Sequence, residues 1–332
     1  MKFSVRWFLA IIGLIFAALS IASILADDDL LWGLDQFPLW APPAGMGIVV
    51  AFAYITMLGS VGLLWFRAFV VKKVDRGSQK IALGLSGISL MWHILLIGYI
   101  QVWEMQGVVG DLFSAETWDV PSSAGSVRAV VCLVLGFPIQ HWFATRDVTR
   151  EVNRWGVITG GLIALGSLTV VGHTAYQPPT WVSHGMDFVH GVGAALWFGG
   201  LLGLVLFLLV ATRTRTDAKK MGQVLTDFST YALLSVIALA ISGSVMAFMV
   251  KDDPLDIAGS PFAQLLSVKL LLVVIPVVLA AYNRFKLMPQ LESNPASEET
   301  WARLGRVVQI ELALLVVILV ITGSLVLRSP VA

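Results

Sequence analysis

Three of the chain's five histidines cluster in the sequence: His173 in "VVGHTAYQPP", and His184 and His190 in "WVSHGMDFVHGVGAALWFGG". Met186 stands four residues before His190 and Asp187 three before it. On a helix those spacings put all three on one face. Imidazole and thioether together suit copper, and thioether favours Cu(I). A carboxylate beside a histidine can fix the ring's tautomer. Met246 and Met249, three apart, repeat the soft-donor theme further on. Taken singly these residues have blander uses. A histidine near a helix end is usually an interfacial hydrogen-bonding group, and a methionine in an apolar helix usually packs. The grouping matters because polar residues inside a membrane span are costly and tend to be functional. A copper site of His173, His184, His190 and Met186 is therefore a candidate, and it would weaken below about pH 6.5, where imidazole takes up a proton.

The elements that would hold these residues are membrane helices. Of 332 residues, 57% are hydrophobic and 13% charged, with a mean hydropathy of +0.84. A soluble domain of this length is about a quarter charged. Continuous apolar runs reach the ~20 residues needed to cross a bilayer, and they do not alternate as barrel strands do. The expected fold is an all-α polytopic bundle. Nine candidate spans fall at roughly 5–25, 46–70, 81–101, 126–144, 156–175, 185–211, 224–250, 263–283 and 306–327. The first is either a retained span or a cleaved signal, which would leave eight. Its length favours retention.

Of the 22 basic residues, 18 fall in segments on one side of this arrangement. Three (Arg128, Lys251 and Arg328) fall on the other, and Lys269 lies inside a span. The positive-inside rule then puts the N-terminus in the cytoplasm and the C-terminus outside. His173, His184 and His190 lie toward the outer face and His141 at the inner one. The outer loops, "ADDDLLWGLDQFPLW" among them, are acidic and aromatic. That composition fits an interfacial aromatic belt, or a vestibule that gathers cations.

Several intramembrane residues need partners. Lys269 could pair with Asp187, Asp252 or Asp253. Glu311 is expected to pair with Arg284, which reaches a similar level in the preceding span. A proton or exit role for Glu311 is the alternative. Gly191, Ala195 and Gly199, each four apart, read as a small-residue packing seam, as do Gly160 and Ala164. Trp197, seven after His190, either walls a site or fills the interior.

From "VHGVGAALWFGGLLGLVLFL" onward the chain resembles the copper resistance protein D (CopD) family. "DFSTYALLSVIALAISGSVMAF" is similar to that family's F-S-x-x-A-L…T-G helix, with Ser242-Gly243 where the family has Thr-Gly. "QLLSVKLLLVVIPVVLAAYNR" and "RVVQIELALLVVILVITGSLV" are similar to its L-L-x-K-L…N-R helix and its single-glutamate last helix. The resemblance covers about residues 165–330. It divides the chain into 1–155, N-terminal helices with about four spans, and 156–332, CopD-like helices with about five. It implies a multi-pass cytoplasmic-membrane protein that handles copper, commonly by moving it across the bilayer, with an external CopC-type copper binder as partner. Carried over by position, the family's outer-face histidines correspond to His173 and His190, with His184 a looser match.

Two other functions remain open from the residues alone. Two histidines at equal depth, His173 with His190 or His93 with His190, could ligate haem b in a haem- or quinone-linked redox protein. A copper-delivery assembly factor would use the same site chemistry. The chain has no G-x-S-x-G, H-E-x-x-H or phosphate-binding loop, so no enzyme is expected. The lone Cys132 excludes an internal disulfide and a thiolate cage, and the composition gives no sign of nucleic-acid binding.

Overall fold

A computed structural model of the chain describes residues 45–72, 76–105, 109–120, 123–171, 177–214, 217–250 and 260–328. These residues are almost wholly helical, with no strand among them. The main helices are α1 (Met46–Phe66), α2 (Arg76–Glu104), α3 (Ser123–Ala144), α4 (Glu151–Gly166), α5 (Thr180–Ala194), α6 (Gly200–Thr214), α7 (Ala218–Val250), α8 (Pro261–Tyr282) and α9 (Glu298–Val326). Short π-helical turns extend α1 over Arg67–Val71, join α5 to α6 over Ala195–Gly199, and follow α8 over Asn283–Leu287.

By length and composition, seven helical stretches among the described residues can cross a membrane. The expected span at 5–25 lies outside the described residues. The span expected at 156–175 is instead α4 over Glu151–Gly166 followed by a 3₁₀ turn, Ser167–Val170. The helix tightens before the stretch that holds His173. The expected span at 185–211 is longer at its start. Pro179 precedes it, and α5, the π turn and α6 run through as one rod from Thr180 to Ala211.

Local chemistry sets the helix starts. Ser260 accepts from the Ala263 N–H at 3.1 Å, and Pro261 stands in the first turn of α8. Ser297 accepts from the Thr300 N–H at 3.2 Å, and Glu298 and Glu299 sit at the positive end of the α9 dipole.

α1 runs through the middle of the bundle. It packs on α2, on α9 and on the 195–199 turn, and Met57, Val61 and Leu63 on it are fully buried. One cluster of buried apolar side chains runs from Met57 to Leu319, so the two halves of the chain share a core. The closest crossing is between α1 and the π turn. A Cβ on Gly62 would strike the Ala195 carbonyl, and one on Gly199 would strike the Leu58 carbonyl. Ala195 and Gly199 thus act as the expected seam, whereas Gly191 faces Leu168 at ordinary contact distance. The second expected seam is also present. A Cβ on Gly136 of α3 would lie 2.8 Å from the Ala164 Cα, and Gly160 approaches the backbone of Gln140 equally closely.

α7 packs on α5, and α8 packs chiefly on α9. Their outward faces, with Leu234, Ile241, Leu271 and Val274 more than half exposed, are apolar and suited to lipid.

Candidate functional site

α5 continues through residues 180–194, so the spacing argument for Met186, Asp187 and His190 holds: they share one face. All three are half-buried, as is His184, which lies on a different face of the same helix. His173 lies outside the described residues.

His190 is held from α7. Its Nδ1 is 3.0 Å from the Ser242 hydroxyl. Ser242, itself fully buried, donates its hydroxyl proton to the Ala238 carbonyl at 2.6 Å. A hydroxyl has one proton to give. With that proton committed to Ala238, Ser242 accepts, and His190 Nδ1 must carry a hydrogen. The Nε2 lone pair is thereby left to act as a ligand or proton acceptor. Gly243 provides the space beside the ring, because a Cβ there would sit 3.3 Å from His190 Cε1. The Ser-Gly pair therefore does two jobs, a hydroxyl for Nδ1 and room for the ring. Met246 lies four residues beyond Ser242 and Met249 three beyond that, on the same α7 face.

A lysine and an aspartate share this end of the bundle. Asp187 of α5 lies within electrostatic range of Lys269 of α8 and of Tyr54 of α1. The charge of Lys269 acts on His190. Of the three carboxylates expected near Lys269, Asp187 is thus close enough for the charges to interact, while Asp252 and Asp253 lie outside the described residues. Among the described residues no group of three or more His, Cys, Asp and Glu side chains could hold a metal ion. What is described offers a copper ion one oriented imidazole, with Met186 on the same helix face. That set fits soft-metal cargo and needs a further donor.

Glu311 does not pair with Arg284. Its Oε1 accepts from the Trp197 indole N–H at 3.1 Å and its Oε2 from the Asn283 amide at 3.3 Å. Arg284 Nη1 donates to the Ser229 hydroxyl at 2.7 Å and to the Ser229 carbonyl at 3.2 Å, both on α7. Adjacent residues on a helical turn point in different directions. In the 283–287 turn Asn283 faces α9 and Arg284 faces α7. Trp197 also sits in a π turn, and such turns recur at functional positions. Trp197, Glu311 and Asn283 are all more than nine-tenths buried. Glu311 and Asn283 line a cavity of about 120 Å³ between α7 and α8, backed by Leu201, Leu204 and Val308.

The other two histidines stand apart. His93 Nδ1 is 2.8 Å from the Ser89 carbonyl one turn earlier in α2, so it is satisfied within its own helix. α2 packs on α1 and α3, and α5 on α7, which gives no support to a His93–His190 haem pair. His141 is exposed at the end of α3 that leads to the Arg146–Arg154 basic segment.

This is a multi-pass all-α membrane protein with a histidine held at one end of the bundle and a buried carboxylate deeper in it. Residues 222–325 match the family model described as Copper resistance protein D. That match bears out the resemblance over α7, α8 and most of α9. The chain is also 32% identical over 143 residues to "Inner membrane protein YebZ" of Escherichia coli (strain K12), a match covering 43% of this chain and 47% of that one. The aligned part thus spans about half the length of that relative. No solved structure matches the chain.

Three features escaped reading from the sequence. Ser242 was visible only as a motif variant, not as the partner of His190. Asn283 looked like a helix end. The partner of Glu311 was sought among cations, when an indole and an amide supply its hydrogen bonds. A lone asparagine and a lone glutamate in neighbouring apolar helices were the signal available for the last two.

Proposed function

We propose that this is a copper-handling protein of the cytoplasmic membrane, in which copper is cargo taken at the His190 end of the bundle and passed across the bilayer. The observation that carries the reading is the His190–Ser242 contact. The segment that matches the copper resistance family supplies the hydroxyl that orients the His190 imidazole. The name of the relative, an inner membrane protein, agrees with the location. The distribution of basic residues supports placing the His190 end outside and the C-terminus with it. A CopC-type copper binder on that side is the partner this reading expects.

In this reading His190 Nε2 binds the metal, and Met186 adds a soft donor from the same face. The family resemblance assigns His173 as the second imidazole of this reading. Neutral imidazole and thioether lose hydration at lower cost than carboxylates do, which suits a site about three turns into the Thr180–Ala211 rod.

The test is Cu(I) competition against a chromophoric chelator, with full-length protein in nanodiscs. His190→Ala and His173→Ala should each weaken binding roughly tenfold or more, and His141→Ala should not. Equal stoichiometry and affinity in wild type and the His173/His190 double variant would refute the site. A Soret band in the purified protein would favour the haem reading instead.

A further inference from the structure

We infer that Glu311, with Asn283 and Trp197, forms a proton-binding site inside the membrane, reached through the cavity between α7 and α8. The inference does not depend on copper binding.

Four observations converge. Glu311 is 2% exposed on α9, deep within a span, and its two hydrogen-bond partners are neutral. An ionised carboxylate there has no neutralising partner in contact, and such groups in a bilayer mark proton or ion pathways. Asn283 is 8% exposed, and its Oδ1 has no hydrogen-bond partner while its Nδ2 serves Glu311. A buried amide oxygen left without a partner calls for an explanation. Both donors sit in π turns, 195–199 and 283–287, where the helix ladder is already interrupted. Finally, the adjacent cavity of about 120 Å³ is large enough for water and includes Glu311, Asn283, Arg284 and Ser229 in its lining.

The amide explains how the site holds two states. With Glu311 ionised, Asn283 Nδ2–H donates to Oε2, as observed. When a hydronium ion in the cavity gives its proton to Oε2, that oxygen becomes a donor and water is left behind. A half-turn of the Asn283 amide then presents Oδ1 as acceptor. One side chain thus serves either form. The indole N–H of Trp197 can only donate, so it favours the ionised form.

The charged surroundings are few. Arg284 is the one cation lining the cavity, and it is engaged by Ser229. The lining residues from α6 and α7, including Leu201, Leu204, Phe228 and Ser229, are uncharged. α1, which also packs on α9, carries no charged residue between Met46 and Phe66; buried Arg67 opens its π-turn extension, and Lys269 of α8 lies fourteen residues before Asn283. The hydrogen-bond partners of Glu311 are thus neutral, and Arg284 is the charged side chain that shares its cavity.

The experiment is a pH titration of full-length protein in nanodiscs, followed by the infrared carbonyl stretch of protonated carboxyl groups. Subtracting the Glu311→Gln titration from the wild type should leave one reversible carboxyl band, and that band should shift in D₂O because the cavity admits water. Trp197→Phe removes a donor to the ionised form, so the midpoint of the band should rise by about one pH unit, the scale of one hydrogen bond to a charged group. Identical wild-type and Glu311→Gln titrations would overturn the proposal. So would an unmoved midpoint in folded Trp197→Phe, which stands as the test if Glu311→Gln does not fold.

Discussion

The Trp197 indole N–H donates to Glu311 Oε1 at 3.1 Å across 114 residues of sequence. The contact ties the turn between α5 and α6 to the last helix, at the level where both cross α1. It also lies two helical turns below His190, about 10 Å along the axis. The interior beneath the histidine, almost wholly apolar in α4, α5 and α6, thus gains its polar groups from α8 and α9. A chain of polar residues, His190 with Ser242, then Trp197, Glu311 and Asn283, then Arg284 with Ser229, steps through the bundle from one end toward the other.

The energy of that tie can be isolated. Trp197→Phe and Glu311→Ala each leave a buried partner unsatisfied, and each should lower stability by about 1–3 kcal/mol. In a double-mutant cycle on thermal unfolding in detergent the two should fall short of additivity by about 1 kcal/mol or more. Full additivity would show that the hydrogen bond contributes nothing to the fold.

Close backbone approach makes a separate demand. Gly199→Ala places a methyl group against the Leu58 carbonyl and Gly62, where only backbone lies and nothing can rotate aside. Expression of folded protein should fall sharply. Gly87→Ala, with nothing within 4 Å, should be neutral or slightly stabilising, because alanine is the better helix former. Normal yields of Gly199→Ala by size-exclusion chromatography would contradict the packing.

How much of this was legible beforehand follows from what each feature depends on. Helical spans are written in hydrophobic runs, because every backbone group in lipid must be satisfied within its own helix. The runs therefore gave all seven described spans, though the observed helices start up to eight residues earlier (Glu298 rather than 306 in the last), where a more polar first turn precedes the apolar run. The shared face of Met186 and His190 and the seam at Ala195 and Gly199 are properties of one helix, so they too could be read. The Glu311–Trp197 and His190–Ser242 contacts depend on which helix packs on which, and no local pattern encodes that. Charge balance suggested Arg284 for Glu311, but the π turn at 283–287 directs Arg284 to α7 and Asn283 to α9. The shortening of α4 into a 3₁₀ turn was likewise invisible, since "SLTVVGH" is as apolar as the helix before it.

Orientation gives the next test. The nine-span arrangement expected from the sequence puts 18 basic residues on one side and three on the other. In that arrangement a cysteine at Thr216 should resist a membrane-impermeant thiol reagent in intact cells, and one at Thr180 should react. Cys132, half-buried in α3, is first replaced by serine. The opposite labelling pattern would put the His190 end in the cytoplasm and reverse the proposed direction of access.

The last prediction separates the two influences on His190. Ser242 fixes the ring through Nδ1, so Ser242→Ala should weaken Cu(I) binding by about tenfold, the usual scale for losing a group that orients a metal ligand. Ser235, buried on the same helix but bonded only to the Ala232 carbonyl, is the control, and Ser235→Ala should leave affinity unchanged. Lys269 acts the other way. Its charge reaches His190, and a cation there opposes a bound cation. Lys269→Met keeps the length and apolar stem of the side chain and removes the charge, so Cu(I) affinity should rise. Asp187→Asn should lower it, because the lysine then loses the carboxylate that offsets its charge. If Lys269→Met instead weakens binding while the protein remains folded, the lysine holds Asp187 in a ligating or orienting position, and the balance of charge around His190 must be reassigned.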